Sequence, residues 1–94
     1  MNEPEFGCIV TSRAGHDKGR AFVIVGRADE AHALLCDGET RKLVKPKKKK
    51  LMHVHVEPAK ADEICAKRAA NEQLCDADIR KALTGRGYNA KHDR

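Results

Sequence analysis

The sequence predicts a mainly β protein: a small closed barrel of five short strands, followed by one or two short C-terminal helices. Two observations lead there. Five short runs rich in β-branched and apolar residues, separated by Gly-rich or polar turns, fill the chain as far as Val56. After Pro58 the apolar residues abandon that pattern and recur with the spacing of a helix.

The first run is Gly7-Cys8-Ile9-Val10-Thr11-Ser12, and the second is Arg20-Ala21-Phe22-Val23-Ile24-Val25. The third and fourth, His32–Cys36 and Thr40–Val44, flank Asp37-Gly38. An Asp-Gly pair readily takes the positive φ angles of a two-residue hairpin turn. The fifth run, Leu51–Val56, alternates, with Met52, Val54 and Val56 on the core face and His53 and His55 opposite. A helix is expected to start near Ala59–Asp62, with Ala61, Ile64, Cys65 and Ala69 on one face. A second starts at Cys75-Asp76-Ala77-Asp78, where acidic residues suit the helix dipole. Ile79, Ala82 and Leu83 form its apolar stripe, and Gly85 and Gly87 end it. Neither helix is long enough to stand alone in water, so each must pack on the other or on the barrel. The expected division is a barrel over 1–58, a helical appendage over 59–88 and a disordered tail over 89–94.

Composition narrows the class. With only two Phe, one Tyr and no Trp in 94 residues, the core must be built from small aliphatic side chains. No run of 18 apolar residues occurs and the N-terminus MNEPEF is polar, so a soluble, cytoplasmic protein is expected. The four cysteines, Cys8, Cys36, Cys65 and Cys75, are widely spaced and include no pair at metal-ligand spacing, which favours reduced thiols. The net charge of +5 is unevenly placed: Arg41 to Val56 holds seven Lys or Arg and no carboxylate. That asymmetry points to a polyanionic partner.

The segment Gly7–Val25 joins two strands through a polar turn containing Gly15 and Gly19. Gly19 permits a left-handed backbone there, and Arg13, Lys18 and Arg20 project beside it. On spacing alone, a phosphate contact and an ordinary hairpin with solvated charges explain the turn equally well. The pattern Gly7…Val10…Gly15-His16-Asp17-Lys18-Gly19…Val23-Ile24-Val25 resembles a KOW motif, found in several ribosomal proteins and in transcription elongation factors of the NusG type. With Asp37-Gly38-Glu39-Thr40-Arg41-Lys42-Leu43 and Lys45-Pro46-Lys47-Lys48-Lys49, the chain over roughly 6–56 is similar to the small bacterial KOW-domain RNA-binding proteins. Those are relatives of the barrel in the archaeal and eukaryotic large-subunit ribosomal protein fourteen. The chain departs from many KOW sequences at Ala21-Phe22, where they carry a glycine.

The resemblance implies an SH3-like barrel that binds RNA, usually ribosomal RNA, through its loops. It assigns Lys18 and Gly19 to the motif's own Lys-Gly pair, and Arg41, Lys45 and Lys47–Lys49 to the basic loop. With Arg13, Arg20, Lys42 and Lys50 these form the candidate RNA-binding set, contacting phosphates of structured RNA. The lysine run itself also admits a solvated loop, a nuclear address or a tail. Patterned strands on both sides, and Pro46 before it, favour a defined loop between the fourth and fifth strands. A protein-interaction module bridging ribosome or transcription components, through the Ile64/Ile79/Leu83 faces, is the alternative. His53 and His55 lack a supporting Cys or carboxylate, so no metal or other cofactor is expected. The carboxylate pairs Asp29/Glu30, Asp62/Glu63 and Asp76/Asp78 each fit a turn or a helix start. No catalytic motif is present, and the chain reads as a non-enzyme.

Overall fold

The computed structural model describes residues 5–89. Its elements are β1 (Cys8–Ser12), β2 (Ala21–Arg27), β3 (His32–Cys36), β4 (Lys47–Lys50), a 3₁₀ turn (Leu51–His53), β5 (Val54–Lys60), α1 (Asp62–Ala69) and α2 (Asp76–Thr84). The strands form one five-stranded sheet in the order β4-β3-β2-β1-β5, with every pairing antiparallel. The sheet is not closed: β4 and β5 are its two edges, joined in sequence by the 3₁₀ turn. Pro58, which cannot donate to a ladder, lies in edge strand β5.

Each face of the sheet has its own core. On one face Ile9, Ala21, Val23 and Cys36 pack with Ala61, Ile64, Ile79, Ala82 and Leu83, so both helices bury their apolar stripes against the strands. Helices of eight and nine residues are held by this packing. A fully buried Ile or Leu contributes about 1.5–3 kcal/mol, far more than the propensity of so short a helix. On the other face Val10, Phe22, Ile24, Ala33, Leu35 and Val54 cluster with Cys8 and Leu51. No helix contributes to that cluster, yet Phe22, Ile24 and Leu35 are completely buried. Only a strongly curled sheet can bury its own concave face in this way.

The structure corrects the fourth strand. Thr40–Val44 is not paired, and the lysine run expected in a loop is itself β4, opposite Leu35, Leu34, Ala33 and His32. The cause is Asp37. Its buried Oδ1 accepts the backbone N–H groups of Glu39, Thr40 and Arg41 at 2.8–2.9 Å, committing them to a side-chain-capped loop rather than a ladder. Helix α2 reinforces the choice, because Asp76 Oδ1 accepts the N–H of Leu43 at 2.8 Å. Gly38 has φ +80°, and a Cβ there would lie 2.4 Å from the Asp76 carbonyl oxygen. The glycine is needed for helix contact as well as for the bend.

The fifth strand is corrected too. The 3₁₀ turn breaks the alternation, so Met52 is 72% exposed and Val56 43% exposed, and only Val54 of the three is buried. In the helices, Ile79, Ala82 and Leu83 are all buried as expected. In α1 Ile64 is buried, Cys65 half-buried and Ala69 exposed, so its apolar face is narrower than its sequence suggests. The expected disordered tail begins at Asn89, the last described residue. Its side-chain amide pairs with both the N–H and the carbonyl of Ala21, at 2.9 and 2.8 Å. Residues 90–94 of that tail lie outside the described residues. No helix among the described residues is long and apolar enough to cross a membrane.

Candidate nucleic-acid interface

The turn between β1 and β2 is built by its own backbone. Gly19 N–H donates to Ser12 O at 2.8 Å and Arg20 N–H donates to Asp17 O at 2.8 Å. The buried Ser12 hydroxyl donates to Ala14 O at 2.8 Å. Gly19 has φ +89°, the left-handed conformation expected of it. Lys18 is exposed at the tip. Arg13, also exposed, is fixed beside the 3₁₀ turn by donating its N–H to His53 O at 2.8 Å.

Two lysines of β4 reach this turn. Lys49 Nζ donates to Ala14 O at 2.9 Å, and Lys47 Nζ lies 3.3 Å from Asp17 Oδ2. Both are half-buried and share the concave face with their cross-strand partners Ala33 and Leu35. Lys48 and Lys50, on the opposite face with Leu34 and His32, are exposed. The loop over 37–46 completes the surface. It carries Arg41, whose Nη2 is 4.0 Å from Asp17 Oδ2, and the exposed Lys42 and Lys45. At the loop's crest Val44 is 92% exposed.

Neither family models nor curated proteins yield a match to this chain.

The structure thus brings the first turn, the 37–46 loop and β4 together, and sorts the candidate residues by what they already hold. Arg20 is committed: Nε donates to buried Asp37, and Nη2 to Glu39 at 2.7 Å. Burial pushes the Asp37 carboxyl up. The Thr40 hydroxyl, the N–H groups of Arg41 and Glu39 and the Arg20 guanidinium outweigh it and hold that carboxyl below its ordinary value. Lys49 and Lys47 are partly committed, to Ala14 and Asp17. Among the described residues Arg13, Lys18, Lys42, Lys45, Lys48 and Lys50 have no ion pair and stand exposed.

Sequence reasoning missed Asp17 as a member of the site. Its position inside the KOW-like turn, next to Lys18, was visible, but its partners lie 24 and 30 residues away. His53 and His55 are both exposed, His55 3.9 Å from Glu57 Oε2. Among the described residues no group of three or more His, Cys, Asp or Glu side chains is arranged to hold a metal.

Proposed function

We propose that this chain is an RNA-binding module of the KOW type, contacting the phosphate backbone of structured RNA, ribosomal RNA above all, in the cytoplasm. The observation that carries this reading is the convergence of the Lys18-Gly19 turn, the Arg41–Lys45 loop and strand β4 at the β4 edge of the sheet, tied by Lys47 and Lys49. Surface cations held on rigid elements and unmatched by carboxylates are what a phosphate backbone selects. The concave cluster made by strand residues and Leu51 supports an SH3-like barrel, curled although its edges are unpaired.

The aromatics favour backbone contact over base stacking. Phe22 is buried, Phe6 lies under Arg68 at 4.1 Å, and Tyr88 donates its hydroxyl to Glu57 at 3.2 Å. None offers a free ring to a base, which single-strand readers need. Recognition by shape and phosphate suits paired RNA better. We read the chain as non-catalytic and as needing no cofactor. In the alternative, bridging ribosomal or transcription proteins, the Ile64, Ile79 and Leu83 faces would be the contact surface. Those side chains are buried against the sheet, which favours the RNA reading.

Fluorescence polarisation with ribosomal RNA fragments over a salt series tests this. Replacing Lys48 and Lys50 by Gln should flatten the log–log salt slope by about 2, at roughly 0.9 per phosphate contact. Absence of binding to every structured fragment at low salt would sink the proposal.

A further inference from the structure

We propose that Asp17 is an intramolecular stand-in for a phosphate. Its carboxylate occupies an anion site formed by Arg41 and Lys47, and a phosphate of the bound polyanion displaces it. The inference rests on the phosphate-binding reading above and says how that site is kept closed to small anions.

Asp17 is largely enclosed, with its side chain 15% exposed, and one oxygen faces both cations. Two cations for one carboxylate leave the pocket positive. Arg41 is the more poorly served. Its main chain is fixed: the N–H donates to Asp37 Oδ1 at 2.8 Å, and the carbonyl accepts from Asp37 and Gly38 at 3.0 and 3.2 Å. Its guanidinium is not, for Nε is buried with no hydrogen-bond partner among the described residues. The contact from Nη2 to Asp17, at 4.0 Å, is too long for a hydrogen bond.

Arg20, three residues after Asp17, shows what a satisfied arginine is here: Nε and Nη2 both donate to carboxylates. A guanidinium fork matches two oxygens of a phosphate at once. A phosphate seated where Asp17 now lies, larger than a carboxylate, would meet the Arg41 guanidinium from the Nη2 side and the Lys47 ammonium together. A lone small anion gains only these contacts and must evict a tethered carboxylate. A nucleic-acid backbone also engages Lys18, Lys48 and their neighbours, so it displaces Asp17 at far lower concentration than a small anion does. Asp17 is therefore a specificity determinant that favours polyphosphate backbones over single anions.

Two probes test this, inorganic pyrophosphate and a labelled ribosomal RNA duplex, with the Arg41 and Arg20 Nε–Hε signals followed by NMR. In the unaltered chain, saturation with either probe should move the Arg41 signal and leave that of Arg20 in place. Asp17→Asn should bind pyrophosphate about five-fold more tightly, the equivalent of losing one competing ion pair. Adding Arg41→Gln should cancel that gain. An Arg41 signal unmoved at saturation, an unchanged pyrophosphate affinity in Asp17→Asn, or a gain that survives Arg41→Gln would overturn the inference. If RNA binds but Asp17→Asn gains nothing, this inference falls and the RNA reading stands. If RNA fails to bind while the Arg41-dependent gain appears with pyrophosphate, the RNA reading falls and the Asp17-occupied anion site stands.

Discussion

Asp37 is the residue whose removal should damage this fold most. It is 1% exposed and accepts five hydrogen bonds, three from backbone N–H groups, one from the Thr40 hydroxyl and one from Arg20. Asp37→Ala leaves those donors facing a vacated pocket and leaves Arg20 with Glu39 alone. An unpaired buried donor costs about 1–3 kcal/mol, and breaking a buried ion pair about 3–5 kcal/mol. These overlap, and water will enter at the Arg20 side, so the expected loss is about 3–5 kcal/mol rather than their sum. A 94-residue domain has about 5–14 kcal/mol in all. The variant should therefore stand near the limit of folding.

Urea denaturation followed by far-UV circular dichroism measures this directly. Asp37→Asn, which keeps one acceptor, should lose less, and Glu39→Gln, at an exposed pair, under about 1 kcal/mol. A loss below about 1 kcal/mol for Asp37→Ala would refute the role assigned to it. Acid provides a second check. The folded carboxyl titrates below its ordinary value of 3.8, so its contribution is complete above that pH and is lost as pH falls through the folded value. Asp37→Asn should accordingly lose less stability between neutral pH and pH 3 than the unaltered chain.

Three further outcomes are expected. Gly38→Ala places a Cβ against the α2 backbone at positive φ and should cost about 3–5 kcal/mol, whereas Gly19→Ala, with open space around it, should cost only about 1–2 kcal/mol of backbone strain; thermal melts of the pair separate the two effects. Burial pushes the Cys36 thiol up to about 12, so alkylation at pH 8 read by mass spectrometry should label exposed Cys75 quickly and Cys36 only after unfolding. Asn89→Ala removes both hydrogen bonds to Ala21 and should cost about 1–2 kcal/mol, with faster hydrogen exchange at the Ala21 amide as its local signature.

Much of the fold was legible because two periods dominate the chain. The β-branched runs marked β1 and β2, the apolar run before Asp37-Gly38 marked β3, and the Ile79/Ala82/Leu83 stripe marked α2. The fourth strand was not legible, for a physical reason. Asp-Gly suits a two-residue hairpin, but Asp also competes for nearby backbone N–H groups, and the outcome depends on whether its carboxylate is buried. Here Arg20 and helix α2 bury it, and both lie far off in sequence. Lysine is likewise a weak strand former, so only pairing with β3 reveals Lys47–Lys50 as a strand. The candidate site was legible as a set of cations, but not as free and committed ones. That distinction lies in contacts such as Asp17 with Arg41 and Lys47, which no local pattern encodes.

Placing the lysines in an edge strand changes what they can do. In a loop, four adjacent ammonium groups would wander over a wide volume, and ordering them on a partner would cost side-chain and backbone entropy together. On β4 the backbone is already fixed by β3, and alternate lysines stand about 6.6 Å apart, the scale of the step between successive phosphates in a strand. The same arrangement protects the open edge, since a second copy approaching β4 would meet like charge. Alternation then divides the labour. The concave row, Lys47 and Lys49, pins the first turn, while Lys48 and Lys50 remain for a partner. A run of identical residues therefore has two roles, and the pleat assigns them.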